Sequence, residues 1–161
     1  MNGKGPDLKW MDVFADPYLR TEGGRGVFLA GVTLGMVARG QARGTSIDAA
    51  PLFKQMNFGR MQMRDLRAHL GRIPELSRHY ELQSPGRVEQ LAALSGDLLL
   101  RGGESELGVN GNFAFAVAFL GAWNYFAQIF GIEVKAPQGE EAVGASDGTM
   151  SEPEETERQE A

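Results

Sequence analysis

Residues 26–40, GVFLAGVTLGMVARG, decide the fold class. Gly26, Gly31, Gly35 and Gly40 interrupt a run that is apolar but for Thr33 and Arg39. An interior glycine costs a helix about 1 kcal/mol relative to alanine. Small residues four apart compensate where another backbone must come close. The stretch therefore reads as a helix, about Arg25–Ala42, packed tightly inside a bundle. A ligand site is the alternative reading, but helix interiors offer few free N–H groups to hold a ligand.

Working outward, helical periodicity recurs and strand signals are scarce. A short helix is expected near Asp7–Phe14, ending before Asp16-Pro17. Another starts after Pro51 and breaks near Asn57-Phe58-Gly59, followed by one over Arg60–Gly71 and a short turn at Pro74–Tyr80. Pro85–Leu100 forms a further helix, with Ser84 as N-cap and Gly102-Gly103 as its stop. The last is expected from about Gly111 to Phe130; it is apolar around its circumference, and such a helix is enclosed by others. The pattern predicts an all-α fold: a single helical bundle of about five to six helices over residues 1–135. Residues 136–161 are rich in Glu, Gly, Ser and Pro, too poor in apolar surface to offset ordering entropy, and are expected to be a disordered acidic tail.

The net charge of −5 argues at first against a nucleic-acid partner. The charge is segregated, however. Residues 136–161 carry eight acidic side chains and one basic, whereas residues 1–135 carry 15 basic and 13 acidic. Phe53–Tyr80 alone holds six basic and two acidic residues, plus His69 and His79. The absence of cysteine excludes disulfides and thiolate metal sites and suits an intracellular, cytoplasmic protein. The opening MNGKGPDLKW lacks the apolar core of a secretory signal. Leu107–Ile132 has no charge over 26 positions, long enough to span a bilayer, but it carries three asparagines, a glutamine and four glycines. A buried bundle helix is the reading adopted, without a membrane partner.

The basic residues form a pattern. On a helix over Arg60–Gly71, Arg60, Arg64 and Arg67 fall within an arc of roughly 60°, beside an apolar arc of Met63, Leu66, Leu70 and Ile73 about 80° wide. Like charges at these spacings repel by a few tenths of a kcal/mol per pair, a cost recovered where phosphates face them. Arg72, Arg78 and Lys54 extend the row, and Arg39, Arg43 and Arg101 are weaker candidates of the same kind. A solvated face, or one paired with carboxylates of other helices, fits the spacing equally.

Catalytic signals are thin. There is no phosphate-binding G-x-x-x-x-G-K-[ST] loop, and GGRG at 23–26 lacks its lysine and its spacing. His69 and His79 lack metal-ligand spacing. No nucleophile elbow occurs. Glu104 and Glu106 in RGGESELG are accounted for by helix capping. The aromatics of 112–130 read as core, because base-stacking platforms come with interleaved cations and this segment has none. The chain is expected to be no enzyme, with no cofactor and no metal.

Three stretches together carry a family resemblance: FLAGVTLGMVARGQ (28–41), PLFKQMNFGRMQMRDLRAHLGRIPEL (51–76) and GVNGNFAFAVAFLGAWNYF (108–126). They resemble the C-terminal helical region of the large subunit of type I (I-B-like) CRISPR Cascade complexes, which is also made as a separate small subunit from an internal start. The resemblance covers roughly residues 20–132 and rests on apolar and glycine patterning. It implies an all-helical, non-catalytic small subunit, present in more than one copy. Such subunits support the guide–target heteroduplex and the displaced non-target strand through backbone contacts, while base pairing reads sequence. The implied partners are the Cascade large and backbone subunits, head-to-tail copies of the chain, and the crRNA and target DNA backbone. That role extends only to Arg60, Arg64, Arg67 and their neighbours. The rival reading is a helical protein-interaction scaffold without nucleic acid; a third is membrane association through 107–132.

Overall fold

A computed structural model describes residues 5–80, 82–103 and 105–133. Among these, seven α-helices and three 3₁₀ turns occur and no strand: α1 Glu22–Ala42, α2 Pro51–Gln55, α3 Met63–Gly71, α4 Ile73–His79, α5 Pro85–Gly102, α6 Gly108–Leu120 and α7 Ala122–Phe130. The all-α bundle is as expected, with seven helices in place of five to six. The expected acidic tail lies outside the described residues.

α1 is the axis. It starts where the Thr21 hydroxyl accepts the Gly24 N–H at 2.9 Å, a side-chain N-cap. It ends at Arg43, whose N–H makes the last helical bond, to the Arg39 carbonyl, and whose left-handed backbone (φ 50°) turns the chain out of the helix. Every residue from Gly26 to Ala38 is buried, because α5, α6 and α7 all pack on α1. The glycines make this possible. A Cβ on Gly31 would stand 2.7 Å from both the Phe115 carbonyl oxygen and the Ala118 Cβ. One on Gly35 would stand 2.4 Å from the Phe119 carbonyl oxygen. On the α5 side, a Cβ on Gly26 would meet the Leu99 backbone at 2.9 Å. The Ser95 hydroxyl donates to the Gly26 carbonyl at 2.7 Å there, satisfying a buried polar group.

Four expectations change. α3 begins at Met63, not Arg60, for reasons given below. Ser84 sits at the start of α5 in a left-handed conformation (φ 54°) and makes no side-chain cap. The single helix expected over Gly111–Phe130 is two helices, bent by 83° at Gly121. The Gly121 N–H closes α6 on the Val117 carbonyl at 3.0 Å. The Tyr125 ring then packs where a Gly121 side chain would be, 2.8 Å from an ideal Cβ. Turning there carries Phe126, Ile129 and Phe130 into the core. No single helix among the described residues is long and apolar enough to cross a membrane; α6 and α7 reach that length only as the bent pair.

α6 is also not enclosed. Gly111, Ala114, Phe115, Ala118 and Phe119 face inward, whereas Val109, Phe113 and Leu120 are exposed. The N-terminal segment closes the other end of the bundle. Trp10 stacks on Tyr125 at 6.0 Å between centroids and meets Phe28 edge-on at 6.1 Å. The Asp7 N–H bonds the Ile129 carbonyl at 2.9 Å.

Candidate nucleic-acid interface

The segment 51–62 is built around one aromatic wedge. Phe58 packs on Phe53 at 5.4 Å, Phe119 at 5.3 Å and Phe115 at 6.2 Å between ring centroids. The chain reverses immediately after it. Gly59 takes φ 85°, a region costly for L-residues, and the Arg60 N–H bonds the Asn57 carbonyl at 2.9 Å. Met61 is held next: Asn112 of α6 accepts its N–H at 2.8 Å and donates to its carbonyl at 3.3 Å. Only then does α3 start, with the Asp65 carboxylate accepting the Gln62 N–H at 3.2 Å. Arg60 therefore lies on a turn, outside the helix. The row expected across one helix face is reduced to Arg64 and Arg67 on α3, with Arg60 on the preceding turn.

The inward face is as the spacing demands: Met63, Leu66 and Leu70 are buried on α3, and Ile73 and Leu76 on α4. The cations face outward. Arg60, Arg64, Arg67, Arg72, Lys54, Arg78, Arg39 and Arg43 are all exposed. Among the described residues Arg64 alone of these eight comes within 4.0 Å of a carboxylate, that of Asp65, and it remains 81% exposed. An exposed pair of that kind is worth under about 1 kcal/mol. Arg101 differs: it pairs with Asp97 and, at 3.6 Å, with Glu22. Arg25 pairs with Asp12. The ion pairs of Arg101 and Arg25 thus lie on α1, α5 and the N-terminal segment.

The candidates divide between separate clefts. Arg39 and Arg43, at the end of α1, line a cleft of about 380 Å³ together with Thr45, Gln83 and Trp123. Arg78 lines a shallower one beside Glu75 and His79. A third, with Asp65, His69, Gln55 and Asn57, runs along the inner edge of α3. Burial lowers the pKa of His69 below its ordinary 6.5; neighbouring Arg72 adds to this and Asp65 opposes it. Sequence reasoning missed Trp123 and Gln83. The aromatic segment has no cations of its own, but α1 brings two arginines to Trp123 in space.

Residues 7–121 match the family model of the C-terminal domain of CRISPR-associated protein TM1802. The chain belongs to this CRISPR-associated family. The match to the TM1802 C-terminal domain takes in all eight candidate cations and ends at the α6–α7 bend, before Trp123. Membership directs attention to other CRISPR-associated proteins as partners of this domain. Searches of curated proteins and of solved structures returned no match.

Proposed function

We propose that this domain is a non-catalytic, small-subunit-like module of a type I, I-B-like CRISPR Cascade complex. It supports the guide RNA–target DNA heteroduplex and the displaced strand, in the cytoplasm, through contacts to phosphate and without reading bases. The observation that carries the reading is the Lys54–Arg78 segment: six cations held outward by an apolar seam, with one weak carboxylate contact among the described residues. Self-paired cations would gain nothing from phosphate; exposed ones release counterions on binding it. The family description, a C-terminal domain of a CRISPR-associated protein, agrees with the resemblance to the C-terminal region of a Cascade large subunit.

The cleft of Arg39, Arg43 and Trp123 adds a second contact for a single strand. Two guanidinium groups suit a phosphate, and an indole suits an unstacked base. The test is DNA retention by the assembled complex and by the domain alone, across a salt series, with Arg60, Arg64 and Arg67 replaced by alanine. A shallower salt dependence with unchanged helicity is expected.

A scaffold reading without nucleic acid has the same outward basic row pair with an acidic protein surface. It predicts that the triple variant loses partner subunits and that neither wild type nor variant retains DNA at low salt.

A further inference from the structure

The cleft at the end of α1 is lined by two cations and no anion. Arg39 and Arg43 share it with Thr45, Gln83 and Trp123. Both arginines are exposed, and neither has a carboxylate within 4.0 Å among the described residues. The elements that bound the cleft are held together from behind. Leu82, next to Gln83, fills the space that a Gly40 side chain would take. Trp123 comes from the first turn of α7.

The chain leaves the bundle close to this cleft. The Ile132 N–H bonds the Ala127 carbonyl at 2.8 Å and pins the end of α7. Phe130, the last residue of α7, lies under the Arg87 guanidinium, 5.4 Å from the ring centroid. Arg87 is four residues past Gln83, at the start of α5. Trp123 and Phe130 are seven residues apart on α7, about 10 Å along its axis. Past Glu133, the last described residue, the sequence runs VKAPQG and then Glu140-Glu141. Glu140 is seven residues beyond Glu133, a span of up to about 25 Å. The first acidic pair of 136–161 is therefore within reach of the two arginines. The charges are also complementary: residues 136–161 carry eight acidic side chains and one basic, against 13 acidic and 15 basic in 1–135. Residues 136–161 lie outside the 7–121 family match, so a contact made by them belongs to this chain.

We propose that Glu140 and Glu141 occupy the Arg39–Arg43 cleft when no nucleic acid is bound. The carboxylates stand in for phosphate, since both anions suit the fork of a guanidinium. Exposed pairs of this kind are individually weak and are screened by salt. Their advantage is the local concentration that a short tether supplies. A single strand entering the cleft must displace them, so a brief one-phosphate encounter is disfavoured relative to a strand that engages several cations at once. This regulatory consequence rests on reading the cleft as a phosphate contact; the ion pairs themselves do not.

The experiment uses the full chain and has two arms. The first needs no nucleic acid. The chain has no native cysteine, so a nitroxide can be placed at Ala142→Cys alone. At low salt it should broaden the amide signals of Gly44, Thr45 and Gln83. It should spare Gly102 and Gly103, at the far end of α5, a helix of 18 residues about 27 Å long. The broadening should disappear in molar salt and in the Arg39→Gln, Arg43→Gln variant. Its absence from the wild-type sequence at low salt overturns the inference, and so does broadening that survives the loss of both arginines. The second arm measures oligothymidine binding by Trp123 fluorescence in a Trp10→Phe background. Glu140→Gln with Glu141→Gln is compared with Glu154→Gln and Glu155→Gln, which change the net charge equally. The near pair should tighten binding about three- to fivefold, as expected for the loss of two exposed ion pairs. The far pair should act much less, because a tether three times as long lowers the effective concentration about fivefold. Equal tightening by both pairs overturns the inference, since net charge alone then explains it. If no variant binds oligothymidine while the broadening is seen, the phosphate reading of the cleft fails and the ion pairs stand.

Discussion

Asn112 on α6 holds Met61 by both of its backbone groups, accepting the N–H at 2.8 Å and donating to the carbonyl at 3.3 Å, across 51 residues of sequence. One side chain thereby fixes the loop that carries Arg60 to a helix packed directly on α1. Replacing Asn112 with alanine leaves two part-buried backbone groups of Met61 without that partner. The expected loss is about 1–3 kcal/mol in urea unfolding. Amide exchange at Met61 should accelerate while α5 stays protected; an unaltered exchange rate at Met61 contradicts the clamp.

The glycines separate into two kinds. Gly35 stands where a Cβ would strike the Phe119 carbonyl, whereas nothing lies within 4 Å of the Cβ position of Gly96 on α5. Gly35→Ala should destabilise by about 1–3 kcal/mol, because overpacking outweighs the gain in helix propensity. Gly96→Ala should stabilise by about 0.5–1 kcal/mol, because only the entropy of the unfolded chain changes. Equilibrium denaturation of both variants measures the contrast. Equal and opposite signs from those stated would mean that α1 and α6 do not meet at Gly35.

That contrast bears on how much was legible in sequence. The glycine spacing at 26–40 announced a closely packed axial helix, and Gly31 and Gly35 against Phe115, Ala118 and Phe119 bear this out. The arginines were legible as exposed, because Met63, Leu66 and Leu70 had to turn inward. The start of α3 was not. It depends on Gly59 taking a positive φ and on Asn112 reaching Met61, and the second is a contact that no local pattern encodes. The bend at Gly121 escaped for a related reason: Gly121 lies in a uniformly apolar run, where periodicity has no polar face to mark a change of direction. Trp123 gains arginine neighbours only through the packing of α7 on α1.

Trp123 offers a direct optical probe. The chain has two tryptophans, and Trp10 lies in the cluster with Phe28 and Tyr125. In a Trp10→Phe background, a short single-stranded oligothymidine should quench the remaining fluorescence as it stacks on the indole. Arg39→Ala with Arg43→Ala should weaken that quenching about tenfold or more, since two phosphate contacts are removed. Retention of the oligonucleotide without any quenching would place the strand elsewhere on the domain.

His69 makes stability depend on pH. The fold holds its pKa below 6.5, chiefly by burial, with Arg72 contributing and Asp65 opposing. The neutral ring is therefore the preferred folded form. Its contribution is complete above the unfolded value, and it declines as pH falls from there through the lower folded value, because the unfolded chain binds the proton more readily. The thermal midpoint of wild type should drop between neutral and mildly acidic pH, and drop less in His69→Gln. Parallel curves would remove His69 from the explanation.

The account rests most heavily on phosphate meeting the outward cations of 60–67. The slope of log K for duplex DNA against log salt concentration tests this directly, comparing wild type with the Arg60→Ala, Arg64→Ala, Arg67→Ala variant in the assembled complex. Each lost phosphate contact should reduce the slope by about 0.9, so a reduction of roughly two to three is predicted if all three arginines engage the duplex. Identical slopes in wild type and variant would contradict it.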